Sequence, residues 1–168
     1  MRFEVSQHFD ASPDRVLANY VDPELYASLG ALGSLSAPDL LAHDVNGEQV
    51  RLQLRYWYVG DLPPGAGRVI RRDRLSWVQD CRTDLSTGVT SLTIVPDEYA
   101  DRLSAAASIT ISPDDDKPAG EGARRVVRGE LKVQAALVAG RVERVIIDGL
   151  KDHLRLEAVA VTDRLRAA

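Results

Sequence analysis

Two polar residues stand where a helix should present an apolar face. His153 and Glu157 are four residues apart in the stretch from Gly140 to about Arg166, a spacing that puts both side chains on one face, one turn apart. A carboxylate beside an imidazole can hydrogen-bond the ring, orient it and hold it basic or charged, which is equipment for general acid–base work. The same two residues also read as a polar pair satisfied inside a core, because buried polar groups are normally paired with each other or with backbone. Strand alternation supplies further candidates. Tyr56 and Tyr58 share one face of residues 48–59, and Trp77 and Gln79 share one face of residues 74–83. Small-molecule pockets are lined mostly by apolar and aromatic groups with a few placed polar ones; large aromatics on an inner sheet face also simply fill a core. A register slip of one residue would turn all four outward. Tyr56, Tyr58, Trp77, Gln79, His153 and Glu157 form the candidate ligand-binding set, and no catalytic residue is assigned.

Other chemistry finds little support. Cys81 is the single cysteine, so no internal disulfide forms, which is compatible with a reducing cytoplasm. No Cys–His spacing accompanies it, and a lone thiol of this kind reads as buried. His8, His43 and His153 are scattered, giving no metal site. Asp114-Asp115-Asp116 lacks the spacing and closing Glu of a calcium loop and reads as a solvated turn. Gly65-Ala66-Gly67 is followed by neither the third glycine nor the helix of a dinucleotide fold, and no phosphate-binding loop or nucleophile elbow is present. Neither a metal nor a cofactor is expected.

The 168 residues, 45% hydrophobic and 27% charged, suit one domain spanning 1–168 with a full-sized core. A formal net charge of −4 argues against nucleic acid, whose binders carry a basic face. Met1 to Val5 alternates like a strand and lacks the layout of a signal peptide. No apolar run approaches the roughly 18 residues of a membrane span. The expectation is a cytoplasmic protein without integral membrane association.

The candidate residues need elements to position them. Phe3, Val5 and Phe9 alternate with Arg2, Glu4 and His8, predicting a strand over 2–9. Ser12-Pro13 opens a short helix through Val16, Leu17 and Tyr20, and Pro23 opens a second through Leu25, Tyr26 and Leu29. After a loop over 31–38, strands follow over 39–45 and 48–59, joined by a hairpin at Asn46-Gly47. Asp61 to Gly67 is a wide loop, with Val69 and Ile70 positioned to fold back over the core. Further strands span 74–83, 89–95, 103–111 and 124–135, separated by turns and by a polar loop over 113–123. The last helix places Val142, Ile146, Gly149, Leu150, Ala160 and Val161 on one side, with Gly140 as N-cap. Gly149 on that inner stripe predicts a close approach to the sheet or a bend. Consecutive strands with short turns imply an antiparallel meander, and a single long helix remains to cover its apolar face.

This order of elements resembles the START-like superfamily, also called the helix-grip or Bet v 1-like fold, over essentially the full length. The local carriers are Phe9-Asp10-Ala11-Ser12-Pro13-Asp14-Arg15-Val16, Leu131-Lys132-Val133, and Leu137-Val138-Ala139-Gly140-Arg141-Val142-Glu143. Within the superfamily the chain looks most like a bacterial family known as domain of unknown function 2505. The resemblance implies an α+β helix-grip domain: a curved antiparallel sheet of six or seven strands around a long C-terminal helix, with two short helices after the first strand. It also implies a hydrophobic cavity between sheet and helix for a lipid, polyketide-like or aromatic small molecule. The cyclase or dehydratase kind of enzyme in the same cavity, and a protein-interaction module with a filled core, are the alternatives. A cavity of several hundred Å3 is expected, with His153 and Glu157 on its wall.

Overall fold

The structure is a computed structural model that describes residues 1–61, 71–134 and 139–167. Its elements are β1 (Arg2–Phe9), α1 (Pro13–Val21), α2 (Pro23–Ser28), β2 (Asp39–Asn46), β3 (Gln49–Trp57), β4 (Ser76–Asp84), β5 (Val89–Pro96), β6 (Leu103–Pro113), β7 (Ala123–Val133) and α3 (Ala139–Ala167). The seven strands form one antiparallel sheet in the order β1-β7-β6-β5-β4-β3-β2. The expected curved sheet, long last helix and pair of short helices after the first strand are all present. The fold-back expected of Val69 and Ile70 lies outside the described residues.

Alternation determines which face is inside. Along β3, Val50, Leu52, Leu54 and Tyr56 are buried while Arg51, Gln53 and Arg55 are only partly covered. The convex face is laced with ion pairs instead, such as Arg51 donating to both carboxylate oxygens of Asp80 at 3.0 and 2.8 Å. On β7, Gly129 lies opposite Phe3, and a Cβ there would come within 2.5 Å of the Phe3 ring and 2.9 Å of the Ala106 carbonyl. The glycine lets the aromatic ring lie flat over the strand, an arrangement that compensates for its missing side chain.

Several local expectations are corrected. The β2–β3 hairpin centres on Gly47-Glu48, since Asn46 already pairs with Gln49; only Gly47 there takes a positive φ, of 58°, as a turn with Gly first requires. The strand expected to run to residue 59 ends at Trp57, and a 3-10 turn at Arg72–Arg74 precedes β4. Gly140 lies inside the first turn of α3 and not at its cap. Asp114 is buried, holding His8 Nδ1 at 2.8 Å and accepting from the Asp116 amide, so it organises the β6–β7 loop and is no solvated turn residue.

The short helices work as a clamp on the end of α3. Asp22 ends α1 and caps α2 by accepting from the Glu24 amide at 2.9 Å, and its carboxylate also pairs with Arg164 near the end of α3. Arg15 donates to the Leu165 carbonyl at 3.0 Å, one of the orphan carbonyls of that last turn. At the other end, the Glu143 carboxylate accepts from the Val133 amide at 2.9 Å and pins the first turn of α3 to β7. The closest backbone neighbours of α3 are β7, α1 and β1. Its fully buried residues are Ile147, His153, Leu154, Glu157 and Val161, a stripe rotated slightly from the expected one centred on Ile146.

The expectation that Gly149 permits close approach is not met: a Cβ placed on it would touch nothing within 4 Å. Gly149→Ala should therefore stabilise the protein by about 1 kcal/mol, the helix-propensity difference. Gly129→Ala should destabilise it by roughly 1–3 kcal/mol through overpacking against Phe3. Urea unfolding of the two variants beside the parent checks both signs.

Candidate functional site

The core divides along α3. The larger cluster joins α1 and α2 to β3 and the C-terminal half of α3, with Val16, Leu25, Leu54 and Val161 almost completely buried. Toward the middle strands of the sheet the packing thins. There Trp77 and Gln79 of β4, Leu92 and Ile94 of β5, and Ala105 and Ala107 of β6 point inward yet are only half-buried. Between the two regions lies a group of buried polar side chains.

Arg125 is the centre of that group. It stands on the inner face of β7 at the parity of Val127 and Leu131 and is 4% exposed. Its Nη2 is 3.7 Å from Glu157 Oε2 of α3. Its Nη1 donates to Gln7 Oε1 of β1 at 2.6 Å, and Gln7 Nε2 donates to the Leu154 carbonyl at 2.6 Å. The guanidinium carbon lies 4.0 Å from the centroid of the Tyr20 ring, a cation–π contact. Desolvation works against the charge of Arg125, but Tyr20, Glu157 and the other acidic groups around it outweigh that and raise its pKa. A single strand residue thus ties together β7, β1, α1 and α3.

His153 occupies the other side. Its ring meets Tyr56 edge-on with centroids 5.4 Å apart, and Tyr56 stacks on Trp77 at 6.2 Å. Burial pushes the imidazole pKa down, Glu157 and a hydrogen bond to the Leu32 backbone oppose that, and Arg125 adds to the lowering. The ring is neutral at pH 7. Tyr56 and Tyr26 are pushed well above the usual tyrosine range by burial first and Glu157 second, so their hydroxyls stay protonated. Burial likewise pushes the Cys81 thiol up to about 12, consistent with an inert core residue.

The structure brings Tyr56, His153 and Glu157 into this cluster and sets Trp77 against it. Gln79 is on the inner face beside it, with its amide 3.5 Å from Cys81 Sγ. Tyr58 is not brought in: its hydroxyl donates to the Asp61 carbonyl at 2.8 Å, beyond the end of β3. His153 and Glu157 share a face as their spacing predicts, but they do not hydrogen-bond each other; His153 Nδ1 has no partner among the described residues, and Glu157 faces Arg125. Sequence reasoning missed Arg125, Gln7 and Tyr20. The signal was there: Gln7 has the parity of Phe3, Val5 and Phe9, and Arg125 that of Val127, so each is a polar residue in an inward slot.

Five atoms of the cluster are buried without a hydrogen-bond partner among the described residues: Tyr20 Oη, Tyr56 Oη, Arg125 Nε, His153 Nδ1 and Glu157 Oε2. Leaving such groups unmet in a dry core costs about 1–3 kcal/mol each. The arrangement can bind a polar group presented from the thinly packed side, offering donors, acceptors and a neutral imidazole close together.

A curved antiparallel sheet gripping one long helix, with two short helices after the first strand, defines the α+β helix-grip fold. The chain belongs to DUF2505, a family described as "Protein of unknown function", which it matches over residues 4–165. The fold is also that of several solved structures. Norcoclaurine synthase from Thalictrum flavum matches with a TM-score of 0.66 at 16% identity, over 100% of this chain and 87% of that one. The Zhui aromatase/cyclase from Streptomyces sp. R1128 matches at 0.59 with 15% identity, over 97% and 89%. A protein from Thermus thermophilus matches at 0.67 with 14% identity, over 99% and 98%. No curated protein matches the sequence. Among the described residues, no helix is long and apolar enough to cross a membrane.

Arg125→Met should destabilise by about 3–5 kcal/mol, because it strands a buried carboxylate. Arg125→Met combined with Glu157→Leu should recover most of that, which a double-mutant cycle in urea measures directly. The depressed His153 pKa gives a second expectation. The unfolded chain takes up a proton as pH falls through about 6.5, whereas the folded chain resists it. Stability should therefore fall below about pH 6.5 by at most about 1.4 kcal/mol per pH unit from this residue. Comparing unfolding midpoints at pH 7.5 and 5.5 should show His153→Phe losing that part of the slope.

Proposed function

We infer that the protein binds a hydrophobic small molecule between its sheet and α3, with the molecule's polar end on the Arg125–Glu157–His153 cluster. One observation carries this reading: five buried polar atoms without partners converge where the apolar inner face changes from fully packed to half-buried. A core that existed only for stability would be better served by apolar residues there, since a half-satisfied polar network is worse than none. Trp77, Leu92, Ile94 and Ala107 then form the wall for the apolar body, and Tyr56 and His153 the boundary with the polar end. The fold's relatives are consistent with such a site, including proteins named as an aromatase/cyclase and as norcoclaurine synthase. A second reading, acid–base chemistry of the cyclase or dehydratase kind on the bound molecule, is favoured by one feature. His153 is neutral, has a free Nδ1 and stands one turn from a carboxylate, which is the state a general base needs.

Two measurements test the binding reading. Mass spectrometry of the organic extract of purified protein should reveal a co-purifying apolar compound. A neutral apolar fluorophore such as Nile red should bind with low-micromolar affinity, and Trp77→Ala should weaken it about tenfold, equivalent to roughly 1.4 kcal/mol of lost contact. An empty extract together with no fluorophore binding would end the reading.

A further inference from the structure

The cluster also narrows what the ligand's polar end is, provided the binding reading above holds. We propose that this end is an uncharged hydroxyl, an alcohol or a phenol, and neither a carboxylate nor an amine. The argument is a balance of charge and then of hydrogen-bond capacity. The guanidinium of Arg125 and the carboxylate of Glu157, 4% and 3% exposed, face each other at 3.7 Å, so the buried cluster is already neutral. A charged head would add a buried charge with no counter-ion left to meet it, which is strongly unfavourable. A carboxylate would in addition lie against Glu157, and an ammonium against Arg125.

Hydrogen-bond capacity then separates the neutral heads. Arg125 gives one N–H of Nη1 to Gln7, Nη2 makes only the 3.7 Å contact with Glu157, and Nε–H has no partner among the described residues. Glu157 Oε2 is an acceptor. His153 Nδ1 has no partner among the described residues, and in the tautomer that carries its proton on Nε2 it is a second acceptor. The hydroxyls of Tyr20 and Tyr56 serve either way. The site therefore asks for a group that both gives and accepts. A hydroxyl gives one proton and accepts at two lone pairs. A ketone or ether only accepts and leaves Glu157 Oε2 and His153 Nδ1 unmet, the kind of mismatch that lets hydrogen-bonding sites reject an analogue lacking the hydroxyl.

The test uses four probes with one apolar body: 2-naphthol, naphthalene, 2-naphthoate and 2-naphthylmethylamine, titrated at pH 7 by calorimetry. The naphthol should bind at least tenfold more tightly than each of the others. Tyr56→Phe, which removes one oxygen and keeps the ring that stacks on Trp77, should reduce the naphthol's advantage over naphthalene severalfold. If the acid or the amine equals the naphthol, the hydroxyl assignment is overturned while the binding reading stands. If naphthalene equals the naphthol, or Tyr56→Phe weakens both alike, the polar cluster does not touch the ligand and the assignment is again overturned. If no probe binds at all, the binding reading fails first and takes this one with it.

Discussion

The contact between Arg125 and Glu157 is the constraint that the rest of the molecule accommodates. Two charges held away from water need each other and need their remaining donors and acceptors met. Gln7 meets one side of the guanidinium, and Tyr20 lies against its face. Those partners come from β1 and α1, and the carboxylate comes from α3. The polar cluster therefore dictates how the first strand, the first helix and the last helix sit against β7. An apolar core tolerates small slips of one element past another; a buried guanidinium with partners on three other elements does not.

The helix that carries Glu157 is held at both ends by means that do not involve the core. Glu143 reaches back to the Val133 amide, while Asp22 and Arg15 take the last turn. The interactions at the last turn are partly exposed and individually worth little. Their effect is positional. They fix the height of α3 over the sheet so that the residues in its middle meet β7 and β3 at the right level.

Much of this fold was legible because each strand has one apolar face and each turn carries its own residue chemistry. Leu52, Leu54 and Tyr56 could be placed inside by counting in twos, and the antiparallel order followed from short connections. Counting around the helix was enough to put His153 and Glu157 on its buried face. Their partners were not legible in the same way. Arg125 is 32 positions before Glu157 in the sequence, between two other arginine-bearing stretches, and nothing local distinguishes it from Arg124 or Arg128 except parity. Both of those neighbours are exposed, with Arg128 on Glu4 and Arg124 on Ser6. Gln7 was hidden by the same habit of reading polar residues as outward ones. Gly149 shows the opposite failure: a residue type that often marks close packing stands over open space.

Burial is uneven across the domain. The long helix takes part mainly at one end. Its C-terminal half packs with Val16, Leu17, Tyr20 and Leu25 of the short helices into a cluster of almost wholly buried side chains. The inner faces of β4, β5 and β6, by contrast, are only half-buried. Burial of apolar area at about 25 cal/mol per Å2 is what holds a domain together, so that cluster contributes most of the stability and the half-buried strands leave apolar surface incompletely used. Such surface is where an apolar molecule gains the most on entering. The ion pair lies beside the wholly buried cluster, where it is held in place. In the binding proposed above, donors and acceptors fixed and pre-oriented at that position would read the guest's polar end without having to reorganise when it arrives.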